Sequence, residues 1–265
     1  MLIWSRRGRS SIWLGAGLLI GIVYLLPLAV IVLSSFAGEW NGVMPTKLTL
    51  AHYQNAVTGD SGRQIWSSLV TGGIASACAL IAGTWAAVSL GPTRGLRRRV
   101  LEPILFIPSA VPSVSVGLGL LVAFCRPPLL LNGTTAIVII AHFVLVFAFT
   151  LGNVSAGLAR LSPDYVQVAQ SLGARPGYFL RHVTLPLVMP QLAAAFGLSF
   201  AMSMGELGAT VMIYPPGWVT LPVGIFALTD RGEIFDGAAL TILLVVATVV
   251  TLLLISARSD GRSKA

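Results

Sequence analysis

The sequence predicts an all-α integral membrane protein with six transmembrane helices. Of its 265 residues, 55% are hydrophobic and only 10% are charged, and the mean hydropathy is +0.87. A soluble domain carries about 25% charged residues, so this composition argues against a soluble enzyme, a disordered regulator and a nucleic-acid-binding domain. Long uncharged segments and a one-sided distribution of basic residues support the same conclusion.

Seven segments longer than 20 residues contain no Asp, Glu, Lys or Arg. A helix needs about 20 apolar residues to cross the hydrocarbon layer, so all seven are long enough. Six of them are predicted to be spans: 10–38, 64–93, 103–125, 127–159, 182–205 and 237–257. The first is longer than the roughly 7–15 apolar residues of a signal peptide, so we expect it to be retained.

The remaining segment, 207–229, is predicted to be irregular or re-entrant. Pro215, Pro216 and Pro222 interrupt it. Because each proline lacks a backbone donor and lipid cannot replace the lost hydrogen bond, we expect protein to shield this stretch, or the stretch to lie near the aqueous edge.

The charge distribution gives an independent test of six spans. With six spans, 13 of the 17 basic residues fall on one side of the membrane. These are Arg6, Arg7, Arg9, Arg94, Arg97, Arg98, Arg99, Arg160, Arg175, Arg181, Arg258, Arg262 and Lys264. The positive-inside rule therefore predicts that both termini are cytoplasmic. The high isoelectric point reflects this topology, and nucleic acid is not an expected partner.

The sequence contains no phosphate-binding loop, no nucleophile elbow and no cluster of Cys or His with metal-ligand spacing. Only one acid, Glu206, is placed well inside the apolar regions. We therefore expect a transport protein rather than an enzyme, with no catalytic residue, metal or cofactor in this chain.

A loop between the fourth and fifth spans, 162–190, is the most informative part of the sequence. Ser162-Pro163-Asp164 is typical of a helix start, because it offers a hydroxyl cap, a proline in the first turn and an acid at the positive dipole end. An apolar stripe follows and ends at Gly173; its members are Tyr165, Val168, Ala169 and Leu172. So short a helix needs a packing partner. The stripe fits equally a connector lying on its own bundle or lipid, and a helix docking in a cytoplasmic partner.

The same loop resembles the EAA motif of binding-protein-dependent ABC importer permeases. The triplet is Gln167-Val168-Ala169, the glycine is Gly173, and the ending is Val183-Thr184-Leu185-Pro186. Gln167 replaces the usual acid and Val168 an alanine, so coupling here would rely on packing and neutral hydrogen bonds. The resemblance implies that the ATPase-coupling residues are Tyr165, Gln167, Val168, Ala169, Leu172, Gly173, Val183, Leu185 and Pro186.

Segments 107–124 and 204–232 extend the resemblance over most of the chain, and are similar to permeases of bacterial 2-aminoethylphosphonate importers. This likeness implies a multi-pass subunit of the bacterial inner membrane. It implies as partners a second permease subunit, identical or related, a cytoplasmic ATPase dimer that binds ATP and Mg²⁺, and an extracytoplasmic binding protein. The implied organisation is an N-terminal tail, first span and external loop over 1–64, a type I transmembrane domain over 65–256 and a basic tail over 257–265.

Four residues are candidates for a gate or pathway: Glu206, Ser109, Ser113 and Ser115. A carboxylate within the bilayer needs a partner, a water-filled cavity or a proton. We expect Glu206 to serve a gate or to anchor the irregular segment, rather than to recognise substrate. The serines suit a polar path for an anion, but small residues also serve helix packing.

The alternative is a secondary transporter or channel for a small anion that needs no ATPase. Such a protein favours paired ionisable residues at mid-membrane and two similar halves. The sequence shows neither feature. A membrane scaffold protein would explain the spans but not the EAA-like spacing.

Overall fold

A computed structural model describes residues 6–58, 60–91, 96–162 and 164–263, and this part of the chain is almost entirely helical. The helices are α1 Arg6–Ser35, α2 Ala51–Thr58, α3 Ser61–Leu90, α4 Leu96–Ala110, α5 Ser113–Ala123, α6 Thr135–Ala159, α7 Asp164–Ser171, α8 Pro176–Phe179, α9 Leu185–Leu187, α10 Met189–Met204, α11 Thr210–Ile213, α12 Leu221–Asp230 and α13 Ile234–Ser263. A π-helical turn, Leu180–Thr184, joins α8 to α9. Two short antiparallel strands, β1 Ala37–Glu39 and β2 Thr46–Leu48, form a hairpin after α1.

Six spans are consistent with these helices. Four single helices are long and apolar enough to cross a membrane: Ile12–Ser35, Ser61–Leu90, Thr135–Ala159 and Ile234–Ala257. Two bent pairs complete the count if each pair is one span: Arg99–Ala110 with Ser113–Ala123, bent by 100°, and Pro176–Leu187 with Met189–Met204, bent by 67°. The all-α membrane fold with six spans is therefore confirmed by length and composition.

The third span differs from the expected continuous helix through 103–125. Helix α4 ends at Ala110 and α5 begins at Ser113, with Pro112 in extended conformation as its N-cap residue. The ring of Pro112 disfavours helical geometry at Val111, and the proline has no N–H to continue the ladder. Consequently Ser109 lies on a different helix from Ser113 and Ser115.

Two compact units make up the chain. The first contains the residues up to Gly62 together with Gly224–Leu243. In it, the His52 ring lies 3.0 Å from the Ala37 carbonyl oxygen and 3.0 Å from an Asp236 carboxylate oxygen. These contacts fasten the segment that follows α1 to the first turn of α13.

The second unit contains Arg63–Val223 and the chain from Leu244. Its helix α3 presents a buried face of small residues, including Thr71, Gly72, Ala75, Ser76 and Ala79. Small side chains let neighbouring backbones approach, which is how helices commonly pack inside membranes.

The irregular segment predicted after the fifth span is also present. Helix α11 has only four residues, and Pro215-Pro216 follows it closely. Two hydroxyl groups on α3 accept hydrogen bonds from this segment: Ser68 Oγ from the backbone N–H of Leu221 at 2.7 Å, and Thr71 Oγ1 from the side-chain Nε1 of Trp218 at 2.9 Å. Protein thus shields the broken backbone, as lipid could not.

Candidate functional site

The loop carrying the EAA-like pattern begins with the predicted cap. Ser162 Oγ accepts a hydrogen bond from the Asp164 N–H at 3.3 Å and donates one to Asp164 Oδ2 at 2.9 Å. Helix α7 begins at Asp164, where the carboxylate faces the positive end of the helix dipole. The predicted role of Pro163 lies outside the described residues.

The end of α7 is set by Gly173. Its φ of +71° is a left-handed conformation that side-chain-bearing residues rarely adopt. The Ala174 N–H bonds to the Ala169 carbonyl oxygen at 2.9 Å, and the Gly173 N–H bonds to the Gln170 carbonyl oxygen at 2.9 Å. This pair of bonds is the Schellman motif, which stops the helix after two turns.

All four members of the apolar stripe line one groove, which we call the outer groove. Its volume is about 550 Å³. The stripe residues Tyr165, Val168, Ala169 and Leu172 form one wall, and Tyr178, Phe179 and Val183 contribute to the rest. Leu172 is 81% exposed and Val168 58% exposed. An unfilled apolar groove with exposed walls is suited to receive a protein partner.

The remaining predicted coupling residues lie around this groove rather than in it. Gln167 is exposed outside the groove lining, and its carbonyl oxygen accepts a hydrogen bond from Ser171 Oγ at 2.9 Å. Leu185 packs against a buried cluster that includes Leu151, Val154 and Val188. Pro186 lies in α9, beside the π-helical turn and the 67° bend into α10.

Glu206 lies directly after α10, at the start of the irregular segment. Its Oε1 accepts a hydrogen bond of 2.8 Å from the Ala209 N–H, and its side chain is half-buried. This contact satisfies the N–H of Ala209, the residue that precedes the short helix α11. The structure therefore places the carboxylate where an anchor for the broken segment is needed, while its part in gating stays a prediction.

The three pathway serines do not come together. Ser113 packs against Gly208 of the irregular segment. Ser109 is exposed, and its hydroxyl donates a hydrogen bond of 2.7 Å to the Phe106 carbonyl oxygen. Ser109 also lines a separate pocket that includes Asn153. Ser115 is exposed on α5. Ser113 is thus a packing residue, and the pathway roles of all three serines stay predictions.

A buried polar network around His142 was not predicted. In α6, His142 Nδ1 lies 2.6 Å from Ser203 Oγ and Nε2 lies 2.8 Å from Thr210 Oγ1. All three side chains are buried, and they join α6, α10 and α11. Apart from a histidine in an apolar span, no local sequence signal marks this network, since the partners lie 61 and 68 residues away.

Comparison with known proteins identifies the family. The model of the family "Binding-protein-dependent transport system inner membrane component" matches residues 79–260. The chain is 54% identical over 253 residues, 96% of each protein, to a Salmonella typhimurium protein named "Putative 2-aminoethylphosphonate transport system permease protein PhnV". It is 31% identical over 207 residues to the molybdenum transport system permease protein ModB of Mycobacterium tuberculosis, covering 72% of this chain and 77% of that one.

The fold is shared with a solved transporter. A chain from the crystal structure of a bacterial ABC transporter involved in the import of the acidic polysaccharide alginate superposes with a TM-score of 0.76 at 18% identity, covering 95% of this chain and 94% of that one. Fold, loop and sequence likeness agree: the chain belongs to the inner-membrane components of binding-protein-dependent transport systems, the multi-pass permease subunits of ABC importers.

Proposed function

We propose that this permease moves 2-aminoethylphosphonate across the inner membrane. The supporting observation is the identity of 54% over 96% of both chains to relatives bearing that transport name, against 31% to a molybdenum permease. ATP hydrolysis takes place on a separate ATPase subunit, so the chain itself is not an enzyme.

Uptake of radiolabelled 2-aminoethylphosphonate into proteoliposomes tests the substrate. The vesicles contain this permease with its cognate ATPase, and binding protein is added outside. We expect uptake that requires ATP and that unlabelled 2-aminoethylphosphonate reduces, while molybdate does not. Uptake that proceeds without the ATPase would establish the secondary transporter instead.

The outer groove is the proposed ATPase docking site. Four exposed or half-buried apolar side chains from one helix face line it, and no side chain among the described residues fills it. Because Gln167 is neutral, contact with the ATPase depends on apolar packing rather than on an ion pair.

Substitutions on α7 test this docking. Leu172→Asp places a charge in the groove and is expected to reduce co-purification of the ATPase at least about tenfold, as loss of a buried interface anchor does. Ser171→Asp is the matched control, since Ser171 lies on the same helix outside the groove lining. Equal co-purification with both variants would contradict the docking assignment.

The proposed orientation places both termini and the part of the loop before the fifth span, 162–181, in the cytoplasm, supported by the 13 basic residues on that side. Alkaline phosphatase fused after Ala265 is expected to be inactive, and green fluorescent protein fused at the same place is expected to be fluorescent.

We further propose that two permease subunits form the pathway, as the resemblance to ABC importer permeases implies. The mass of the purified complex, measured in detergent, decides the subunit count.

A further inference from the structure

A second groove lies between the coupling loop and the ends of α3 and α6, and we call it the inner groove. Its volume is about 560 Å³, within the range of roughly 300–1,000 Å³ that small-ligand sites occupy. The ends of α3 and α6 form one wall and the loop forms the other. Its lining includes Ala87, Gly91, Leu158, Leu161, Val166 and Leu180.

The inner groove adjoins the outer groove, and five residues line both: Tyr165, Ala169, Ala174, Phe179 and Val183. Val166 and Gln170 line only the inner groove, whereas Val168 and Leu172 line only the outer groove. Val166 is itself 42% exposed. The coupling loop therefore leaves an apolar space between itself and the ends of the spans.

The depth of this space follows from the spans that border it. Ala87 and Gly91 lie near the end of the span predicted at 64–93, and Leu158 lies at the end of the span predicted at 127–159. The groove is therefore at the boundary between hydrocarbon and headgroups, where an acyl chain can enter it from the leaflet.

Three exposed arginines are chain neighbours of groove-lining residues, although none of the three lines the groove itself. Arg160 precedes Leu161, Arg175 lies between Ala174 and Pro176, and Arg181 follows Leu180; each of these neighbours lines the groove. Among the described residues, no carboxylate forms an ion pair with any of the three guanidinium groups. Two acids lie near the groove: Asp164 accepts a hydrogen bond from Ser162 and lines the outer groove, and Glu102 lines an adjoining pocket with Ala87, Gly91 and Leu158.

We propose that the inner groove binds an anionic phospholipid of the cytoplasmic leaflet, with an acyl chain between the loop and the spans and the phosphate against the arginines. The apolar lining fits the chain, and guanidinium groups bind phosphate in bidentate geometry. Basic pockets on the cytoplasmic side of membrane helices bind anionic headgroups in the same way. The inference rests on the proposed orientation, which places this end of the spans in the cytoplasm.

Native mass spectrometry of the full-length permease tests the proposal. The protein, purified without its ATPase, is exposed in detergent to equal amounts of dioleoylphosphatidylglycerol and dioleoylphosphatidylcholine. We expect phosphatidylglycerol adducts to exceed phosphatidylcholine adducts by about tenfold or more, since each arginine near an anionic surface contributes several-fold. Equal retention of the two lipids would overturn the proposal.

Two pairs of variants separate charge from shape. The double variant Arg175→Gln/Arg181→Gln is expected to abolish the preference for phosphatidylglycerol. The double variant Arg126→Gln/Arg231→Gln, which changes two arginines on the predicted opposite side of the membrane, is expected to leave it intact. Val166→Trp is expected to remove the adduct by filling the inner groove, whereas Val168→Trp, which points into the outer groove, retains it. An unchanged preference in the Arg175/Arg181 variant contradicts the proposal.

Adding the ATPase distinguishes a lipid site from a protein contact. Displacement of the adduct by the ATPase would assign the inner groove to that subunit and overturn the lipid assignment. Absence of a phosphatidylglycerol preference in the wild-type permease, with ATPase co-purification intact, would overturn the lipid site alone. A C-terminal fusion active outside the cell would overturn the orientation on which both proposals depend.

Discussion

The carboxylate of Glu206 accepts a hydrogen bond of 2.8 Å from the backbone N–H of Ala209, three residues further along the chain. This single contact joins the end of α10 to the start of the irregular segment. It also explains how an acid at this position can serve structure, because the bond satisfies a donor that the broken helix leaves free.

Replacing Glu206 separates the hydrogen bond from the charge. Glu206→Gln keeps a side-chain carbonyl oxygen for the Ala209 N–H, so we expect uptake and thermal stability close to wild type. Glu206→Ala removes the acceptor and is expected to lower the unfolding free energy by about 1 kcal/mol. Loss of transport in Glu206→Gln at unchanged stability would instead show that the charge itself is required.

The network around His142 predicts a stability difference between two variants at Thr210. Thr210→Val keeps the shape but removes the hydroxyl that lies 2.8 Å from His142 Nε2. We expect a loss of about 0.6 kcal/mol, the average for hydrogen bonds between membrane helices, and at most about 1.7 kcal/mol, with a smaller loss for Thr210→Ser. Thermal unfolding in detergent measures both.

Thr248→Val is the control, because its hydroxyl bonds only to the Leu244 carbonyl oxygen within α13. A Thr210→Val protein no less stable than this control would show that the network contributes nothing to folding.

Two glycines in α5 give a matched test of close packing. A methyl group on Gly117 would lie 2.6 Å from the Ala209 carbonyl oxygen, whereas one on Gly119 would meet nothing within 4 Å. Gly117→Ala is therefore expected to destabilise the protein by about 1–3 kcal/mol through overpacking, and Gly119→Ala to be neutral or slightly stabilising. Equal unfolding temperatures for the two variants would contradict the observed packing of α5 against the irregular segment.

The left-handed conformation of Gly173 predicts a graded effect on coupling. Gly173→Ala strains the end of α7 by about 1 kcal/mol, whereas Gly173→Asn is tolerated better. We expect ATP-dependent uptake to fall in the order glycine, asparagine, alanine. Gly177→Ala, where a methyl group meets nothing within 4 Å, should retain uptake. If Gly173→Ala is as active as wild type, coupling does not require a fixed end to α7.

The fold was predictable from sequence where the physical signal is local. Uncharged length gives the spans, and Pro215-Pro216 gives the broken segment. Ser162 and Gly173 mark both ends of α7, since capping involves neighbouring residues. The position of the break in the third span was not predictable, because the span contains three prolines that could each interrupt a helix. Pro103 and Pro108 lie inside α4, and only Pro112 separates two helices.

The candidate site was predictable only in part, because residues that lie far apart in the sequence form much of it. Helical periodicity identifies the stripe from Tyr165 to Leu172, but not the residues from α8 and the π-helical turn that complete the outer groove. The partners of His142 lie on two other helices, and pairing at such sequence distances depends on packing that one sequence does not reveal. Ser109 and Ser113, only four residues apart, end on different helices because of the bend.

The first span has a further consequence for substitutions. In α1, the most apolar 18-residue window within Ile12–Ser35 has none of its residues buried within the subunit. Its amino acids are therefore selected by their surroundings outside the subunit rather than by the fit of neighbouring side chains in its own core. Leucine and isoleucine should therefore be interchangeable along this helix, whereas one arginine at its centre would make insertion into the membrane less favourable by about 2.5–3.5 kcal/mol.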